Sequence, residues 1–159
     1  MMVMFRLAPL AVLLGTLLHL AGCSSSLTKL DLFVTANNGL NPDLSGRPSP
    51  IVVRLIELRH PAAFQSTDFF ALYQNPRQSL APDFVTQEEF ELRPGNWHAL
   101  KVHVQPGSRY VGVLAAYRDL QATRWREVIP LEEGALHRVR LHLDEHGLRR
   151  LDISPDEDD

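Results

Sequence analysis

Cysteine is almost absent from this sequence: Cys23 is the single one in 159 residues. One thiol excludes a disulfide framework, so packing alone must hold the fold. Catalytic signatures are missing as well. There is no Gly-x-Ser-x-Gly elbow, no Walker phosphate loop and no His-Glu-x-x-His, which removes the usual serine hydrolases, phosphate-loop enzymes and zinc peptidases. A basic excess is lacking too: 16 Lys and Arg face 19 Asp and Glu, for a net charge of −3. Nucleic-acid binding needs a basic face, so that class is set aside. No apolar run is long enough to span a bilayer comfortably as a helix, which takes about 20 residues; the apolar stretch at 7–18 is shorter.

What is present begins at the end of that stretch. Leu20-Ala21-Gly22-Cys23 matches a bacterial lipobox, in which the Cys becomes the first mature residue and carries acyl chains. Residues 1–22 then read as a cleaved lipoprotein signal peptide, with Arg6 as a thin positive n-region. Cys23 is the expected lipidation site, and residues 23–29 form a short tether. Three acyl chains anchor firmly, whereas a single myristoyl chain binds only marginally. Ser24, rather than Asp, follows the Cys; by analogy with enterobacterial sorting this favours the outer membrane. The mature chain keeps 15 basic and 19 acidic side chains over 137 residues, the size of one domain.

Residues 30–153 read as that domain and 154–159 as a solvated acidic tail. Leu30, Leu32 and Val34 alternate with polar or exposed positions, as in a half-buried strand. Residues 51–58 are apolar on both parities, which predicts a strand covered on both faces. Further strands are expected at 86–92, around Leu100 to Val104, at 109–117, around Val139 to Leu143, and at Leu151 and Ile153. Pro94-Gly95-Asn96, Pro106-Gly107-Ser108, Glu133-Gly134 and His146-Gly147 are turn signals. The spacing leaves no room for helical crossovers, which predicts antiparallel pairing. Residues 61–73 read as one helix, whole or broken, that lies on a sheet edge or end, with Pro76 as a stop. Residues 37–50 and 74–85 are long irregular segments, a length that is often functional.

Candidate reactive groups do not assemble into a site. The seven His residues show no metal spacing; His98 and His103, like His137 and His142, fall on opposite strand faces. Glu89 and Glu91 share a face and Glu88 does not, which suits a solvated strand better than glycoside chemistry. Trp97 and Trp125 could line a sugar site or serve packing. Arg118-Asp119 is expected to form a local ion pair at a turn, and Arg54 to pair outward with an acid. These readings leave a non-enzymatic protein with no metal and no cofactor beyond covalent lipid on Cys23.

The ordered motifs resemble a known family. They are Asn41-Pro42-Asp43, Gly46 through Leu55, Phe64 with Thr67 through Tyr73, Phe90-Glu91-Leu92-x-Pro94-Gly95, Tyr110 through Leu120, and Trp125-Arg126. In that order, behind a lipobox, they resemble the type VI secretion outer-membrane lipoproteins of the TssJ, VasD or SciN type. The resemblance implies a transthyretin-like antiparallel β-sandwich with a small helical addition. It also implies a scaffold on the periplasmic face of the outer membrane, present in multiple copies. The implied partner is the periplasmic C-terminal domain of TssM, with TssL joined indirectly. The loop between the first two strands is the implied contact. Within it, Leu40 and Leu44 are expected to form an apolar anchor, and Asn41, Asp43 and Arg47 to supply polar specificity. Pro42 and Pro48 stiffen it, and a stiff loop loses less entropy on docking. The loop is expected to be separable from the fold. The alternative is a lipid-anchored small-molecule or carbohydrate-binding sandwich, which needs an aromatic-lined cleft.

Overall fold

The computed structural model describes residues 27–151. The lipobox with Cys23, and the chain beyond Leu151 with Ile153 and the acidic tail, lie outside the described residues. The strands are β1 (Lys29–Ala36), β2 (Ile51–Leu58), β3 (Phe84–Leu92), β4 (Trp97–His103), β5 (Tyr110–Ala115), β6 (Arg126–Pro130), β7 (Leu136–Asp144) and β8 (Gly147–Leu151). Three short helices, α1 (Ala62–Ser66), α2 (Phe69–Gln74) and α3 (Pro76–Ser79), lie between β2 and β3. The strands form two four-stranded sheets, a first in the order β4-β1-β7-β8 and a second in the order β3-β2-β5-β6. This is the expected all-β sandwich with a small helical addition.

One pairing departs from the antiparallel expectation. β1 lies parallel to β7, with Leu32 opposite Val139. A parallel neighbour needs a long crossover. Here the crossover is the whole chain from β2 to β6, most of it in the other sheet, so no dedicated helix is required. β6 is absent from the strands expected above; it is five residues long and closes on Pro130.

The core fills the space between the sheets. Leu30, Leu32 and Val34 of β1 and Val139, Leu141 and Leu143 of β7 meet Ile51, Val53 and Leu55 of β2 and Val111 and Val113 of β5. β2 is also apolar on its other face, as its sequence predicts. Ile56 and Leu58, with Leu114 of β5, pack outward against Phe64, Phe69, Leu72 and Leu80. The helices therefore cover the outer face of the second sheet rather than an edge or end. The expected single helix is three short ones. Thr67 leaves the helical conformation, and Asp68 caps α2 by accepting the N–H of Ala71 at 3.0 Å. Pro76 opens α3 at its first turn instead of ending helix formation.

Two arginines fasten this layer. Arg54 of β2 is only 8% exposed. Its guanidinium donates to Glu89 at 2.8 Å and to the Tyr73 carbonyl at 2.7 Å, and lies over the Tyr73 ring. It has the expected acidic partner but lies beneath α2, not in solvent. Arg126 of β6 donates to the carbonyls of Phe64 and Thr67 at 2.9 and 2.8 Å, closing the C-terminal end of α1. Burial holds its pKa below the ordinary arginine value.

Gly112 is where the layer sits closest to the sheet. A Cβ there falls 2.9 Å from the fully buried Phe64 ring. Gly112→Ala should lower stability by about 1–3 kcal/mol through overpacking. Chemical denaturation of Gly112→Ala, Phe64→Leu and the double variant checks this. The double variant should lose clearly less than the two single losses combined, and plain additivity rules out the contact.

Candidate functional site

The 37–50 loop joins β1 of the first sheet to β2 of the second, so it crosses one end of the sandwich. Its base is part of the fold. Leu40 is fully buried in the inter-sheet core. Asn41 is 3% exposed and adopts the left-handed conformation, with φ +48°. Asn tolerates that region better than most residues. Its amide nitrogen donates to the Pro50 carbonyl at 3.0 Å. Its amide oxygen accepts from the Arg118 backbone N–H at 2.9 Å. The Ser49 N–H adds a bond to the Leu40 carbonyl at 3.0 Å. Leu40 and Asn41 thus hold the loop closed, and neither is presented to a partner. The expected Leu40–Leu44 anchor reduces to Leu44.

The tip is a separate small device. Asp43 Oδ1 accepts the N–H groups of Ser45 and Arg47 at 2.8 and 3.0 Å, and its Oδ2 accepts from Arg47 Nε at 2.8 Å. The Asp43 N–H returns to the Arg47 carbonyl at 2.9 Å. These bonds, led by the Arg47 backbone N–H, hold the Asp43 carboxyl below its ordinary pKa. Gly46 takes φ +75°, which lets the chain turn back. Leu44 stands at the apex, fully exposed. Pro48 is exposed and Pro42 half-buried along the two arms.

Beside the tip runs a groove of about 480 Å³ lined by Pro42, Asp43, Leu44, Tyr117, Arg118 and Glu145, among others. Arg118 and Asp119 do not form the expected local pair. Asp119 Oδ1 instead accepts the N–H groups of Gln121 and Ala122 at 3.2 and 3.0 Å, which shapes the groove's second wall. The Tyr117 hydroxyl is buried without a hydrogen-bond partner. Burial, reinforced by Asp144 and Glu145, pushes its pKa up. Sequence patterns could not reveal Tyr117, because it reads as the last apolar position of a strand.

The remaining candidates do not converge. Trp97 is 65% exposed on the outer face of the first sheet, against Phe33 at 5.6 Å. Trp125 packs edge-on to Phe69 at 5.3 Å, under the helical layer. Trp97 lies in β4 of the first sheet, whereas Trp125 immediately precedes β6 of the second. Glu89 serves Arg54 and Glu91 pairs with Arg93. His98 stacks on Phe90, His137 accepts the Glu132 N–H, and His142 meets Thr35. Among the described residues no cluster of His, Cys, Asp and Glu can hold a metal, and no helix is long and apolar enough to cross a membrane.

Asn41→Ala removes two part-buried hydrogen bonds, to the Pro50 carbonyl and from the Arg118 N–H, at about 0.5–1.5 kcal/mol each. Urea unfolding should show a loss of that order, whereas Leu44→Ala at the exposed apex should stay within about 0.5 kcal/mol. A silent Asn41→Ala shows that the loop base carries no load.

This chain has relatives among solved structures. No curated protein sequence matches it significantly. A crystal structure of the T6SS lipoprotein TssJ1 from Pseudomonas aeruginosa is 32% identical, covers 81% of this chain and 99% of its own, and superposes with TM-score 0.77. Serratia marcescens Lip, a membrane-bound component of the type VI secretion system, is 26% identical over 79% of this chain and 98% of its own, with TM-score 0.74. A chain from a type VI membrane complex is 26% identical over 79% and 99%, with TM-score 0.70. The family model for the type VI secretion lipoproteins VasD, EvfM and TssJ matches residues 28–146. By that match and by its likeness to TssJ1, this chain belongs to the type VI secretion lipoprotein family.

Proposed function

We propose that this protein is the outer-membrane lipoprotein subunit of a type VI secretion membrane complex. Acyl chains on Cys23 hold it on the periplasmic face, and the tip of the 37–50 loop holds the periplasmic domain of TssM. TssL joins through TssM, and several copies stand in one assembly. The role is structural and involves no catalysis.

The observation that carries this reading is the position and build of the loop tip. β1 starts at Lys29, six residues after Cys23, and ends at Ala36, where the loop begins. Eight residues at about 3.3 Å each separate the tether end of the strand from the loop end by about 25 Å. The tether spans at most about 22 Å at 3.6 Å per residue. A lipid at one end and a rigid apolar apex at the other suits a protein that holds a partner near a membrane. The apex is pre-shaped by the Asp43–Arg47 bonds, so docking costs little ordering entropy. Similarity to a chain from a type VI membrane complex supports the same reading.

Two experiments separate its halves. Leu44→Asp in the unacylated mature chain should weaken binding to the TssM periplasmic domain at least about tenfold, the loss expected when a central apolar contact is replaced by a charge. Calorimetric titration measures it, with an unchanged thermal transition as the control; an unaltered Kd removes the tip from the interface. Cys23→Ser should leave the chain unacylated and, after a high-salt wash, outside the outer-membrane fraction. Retention through that wash rejects Cys23 as the anchor.

A further inference from the structure

The two sheets differ in what covers them. Helices close the outer face of the second sheet, while no described residue covers the outer face of the first. Its exposed side chains include Lys29, Lys101 and Arg138, with Phe33, Trp97 and Leu136 beside them. Register brings these together. Asp31 of β1 lies opposite Lys101 of β4 on one side and Arg138 of β7 on the other, and Lys29 lies opposite Leu136. With strands about 4.8 Å apart, Lys101 and Arg138 stand roughly 10 Å from each other across Asp31. Among the described residues neither they nor Lys29 enter an ion pair. Arg149, farther along the face, is already matched by Asp144 at 3.5 Å.

This concentration of positive charge runs against the whole chain, whose net charge is −3. Two exposed aromatic rings in contact, on a sheet face that could have been polar throughout, also call for an occupant. A shallow depression of about 290 Å³ lies between Phe33, Lys101 and Arg138. Lysine and arginine around a shallow apolar floor, with a Trp at its margin, match an interface between anionic headgroups and acyl chains. Trp rings settle at that depth because one edge is apolar and the other can donate a hydrogen bond.

We propose that the bare face of the first sheet rests on the anionic phospholipid surface to which the protein is tethered. This rests on the lipid-anchor reading for its location, since Cys23 lies only six residues from Lys29. The anchor supplies permanence. The face supplies orientation: it lays β1 along the bilayer, so that the 37–50 loop projects sideways over the membrane instead of straight away from it.

The test uses the mature chain from residue 23 carrying Cys23→Ser, so no acyl chain contributes. Both sheets and the core described above lie within residues 27–151, all of which this chain retains. Co-sedimentation is measured with vesicles of phosphatidylglycerol and phosphatidylethanolamine, and with phosphatidylcholine alone. The expected result is binding to the anionic vesicles only, reversed by high salt. Lys101→Glu with Arg138→Glu should weaken it at least about tenfold, since each cation near such a surface contributes appreciably. Trp97→Ala should also weaken it, with thermal transitions unchanged in all variants. Absence of binding to anionic vesicles overturns the proposal, as does equal binding to phosphatidylcholine or indifference to the charge reversals. Binding that appears only when the chain stops at Leu151 also overturns it, because the acidic tail is then the occupant. None of these outcomes depends on Cys23, so a failed face and a failed anchor are told apart.

Discussion

An eight-residue strand that is apolar on both faces cannot form the outside of a two-layer sandwich. β2 is such a strand: Ile51, Val53 and Leu55 face the other sheet, while Ile56 and Leu58 face away. Leaving the second set in water would forfeit about 1.5–3 kcal/mol per side chain. The chain resolves this directly after β2 by laying α1, α2 and α3 back over the strand. The covering layer is too short in each piece to be stable on its own. It is held by Phe64, Phe69 and Leu72 from below and by Arg54 and Arg126, which satisfy carbonyls at the helix ends. A buried cation left unpaired would be strongly destabilising. Arg54 avoids that by dividing its donors between Glu89 and the Tyr73 carbonyl, and Arg126 by donating to two carbonyls.

The same constraint decides where function can lie. With helices over one sheet, two surfaces stand out among the described residues: the outer face of the first sheet and the loops at the ends of the sandwich. The 37–50 loop combines a base that belongs to the core with a tip that does not. Leu40 and Asn41 have the burial and bonding of core residues, so the arms cannot swing freely. Asp43 then organises five residues around one carboxylate, which leaves Leu44 with nowhere to pack. An exposed leucine alone means little. One held at the apex of a hydrogen-bonded turn, on a base that cannot relax to bury it, is a different matter.

Much of this was legible before any coordinates. The double-faced character of residues 51–58 follows from their composition, and the ends of the 37–50 loop fall where alternation stops and Pro50 precedes β-branched residues. What was not legible depends on distance along the chain. Nothing local to Leu30 or Leu141 announces that β1 and β7 run side by side in parallel, because their pairing is fixed by strands folded between them. Leu40 and Leu44 are the same residue type in the same loop, and sequence offers no means to tell the buried one from the exposed one. Asn41 reads as a polar contact residue until Pro50 and Arg118 are seen to use both ends of its amide. Arg54 shows the mixed case. Its acidic partner could be expected from a charged position in an apolar strand, but its burial could not, since α2 covers it from outside the strand. β6 escaped notice because Arg126, Glu127 and Pro130 leave only Val128 and Ile129 to signal a strand.

In the proposed arrangement β1 links anchor, face and loop. One strand begins at the tether, carries Lys29, Asp31 and Phe33 on the bare face, and ends at the loop that presents Leu44. A lipid anchor by itself fixes a protein at a surface but leaves it free to turn about a short tether. Recognition of a partner that arrives from across a compartment depends on the fraction of time the contact points the right way. Restricting that orientation raises the effective concentration of the loop without adding any contact to the partner. In the proposed arrangement a weak electrostatic face suffices for this, because acyl chains on Cys23 would already remove the translational cost. Such a face would need no deep pocket: with a lipid holding the protein in place, a few cations and one aromatic pair are enough to choose a side.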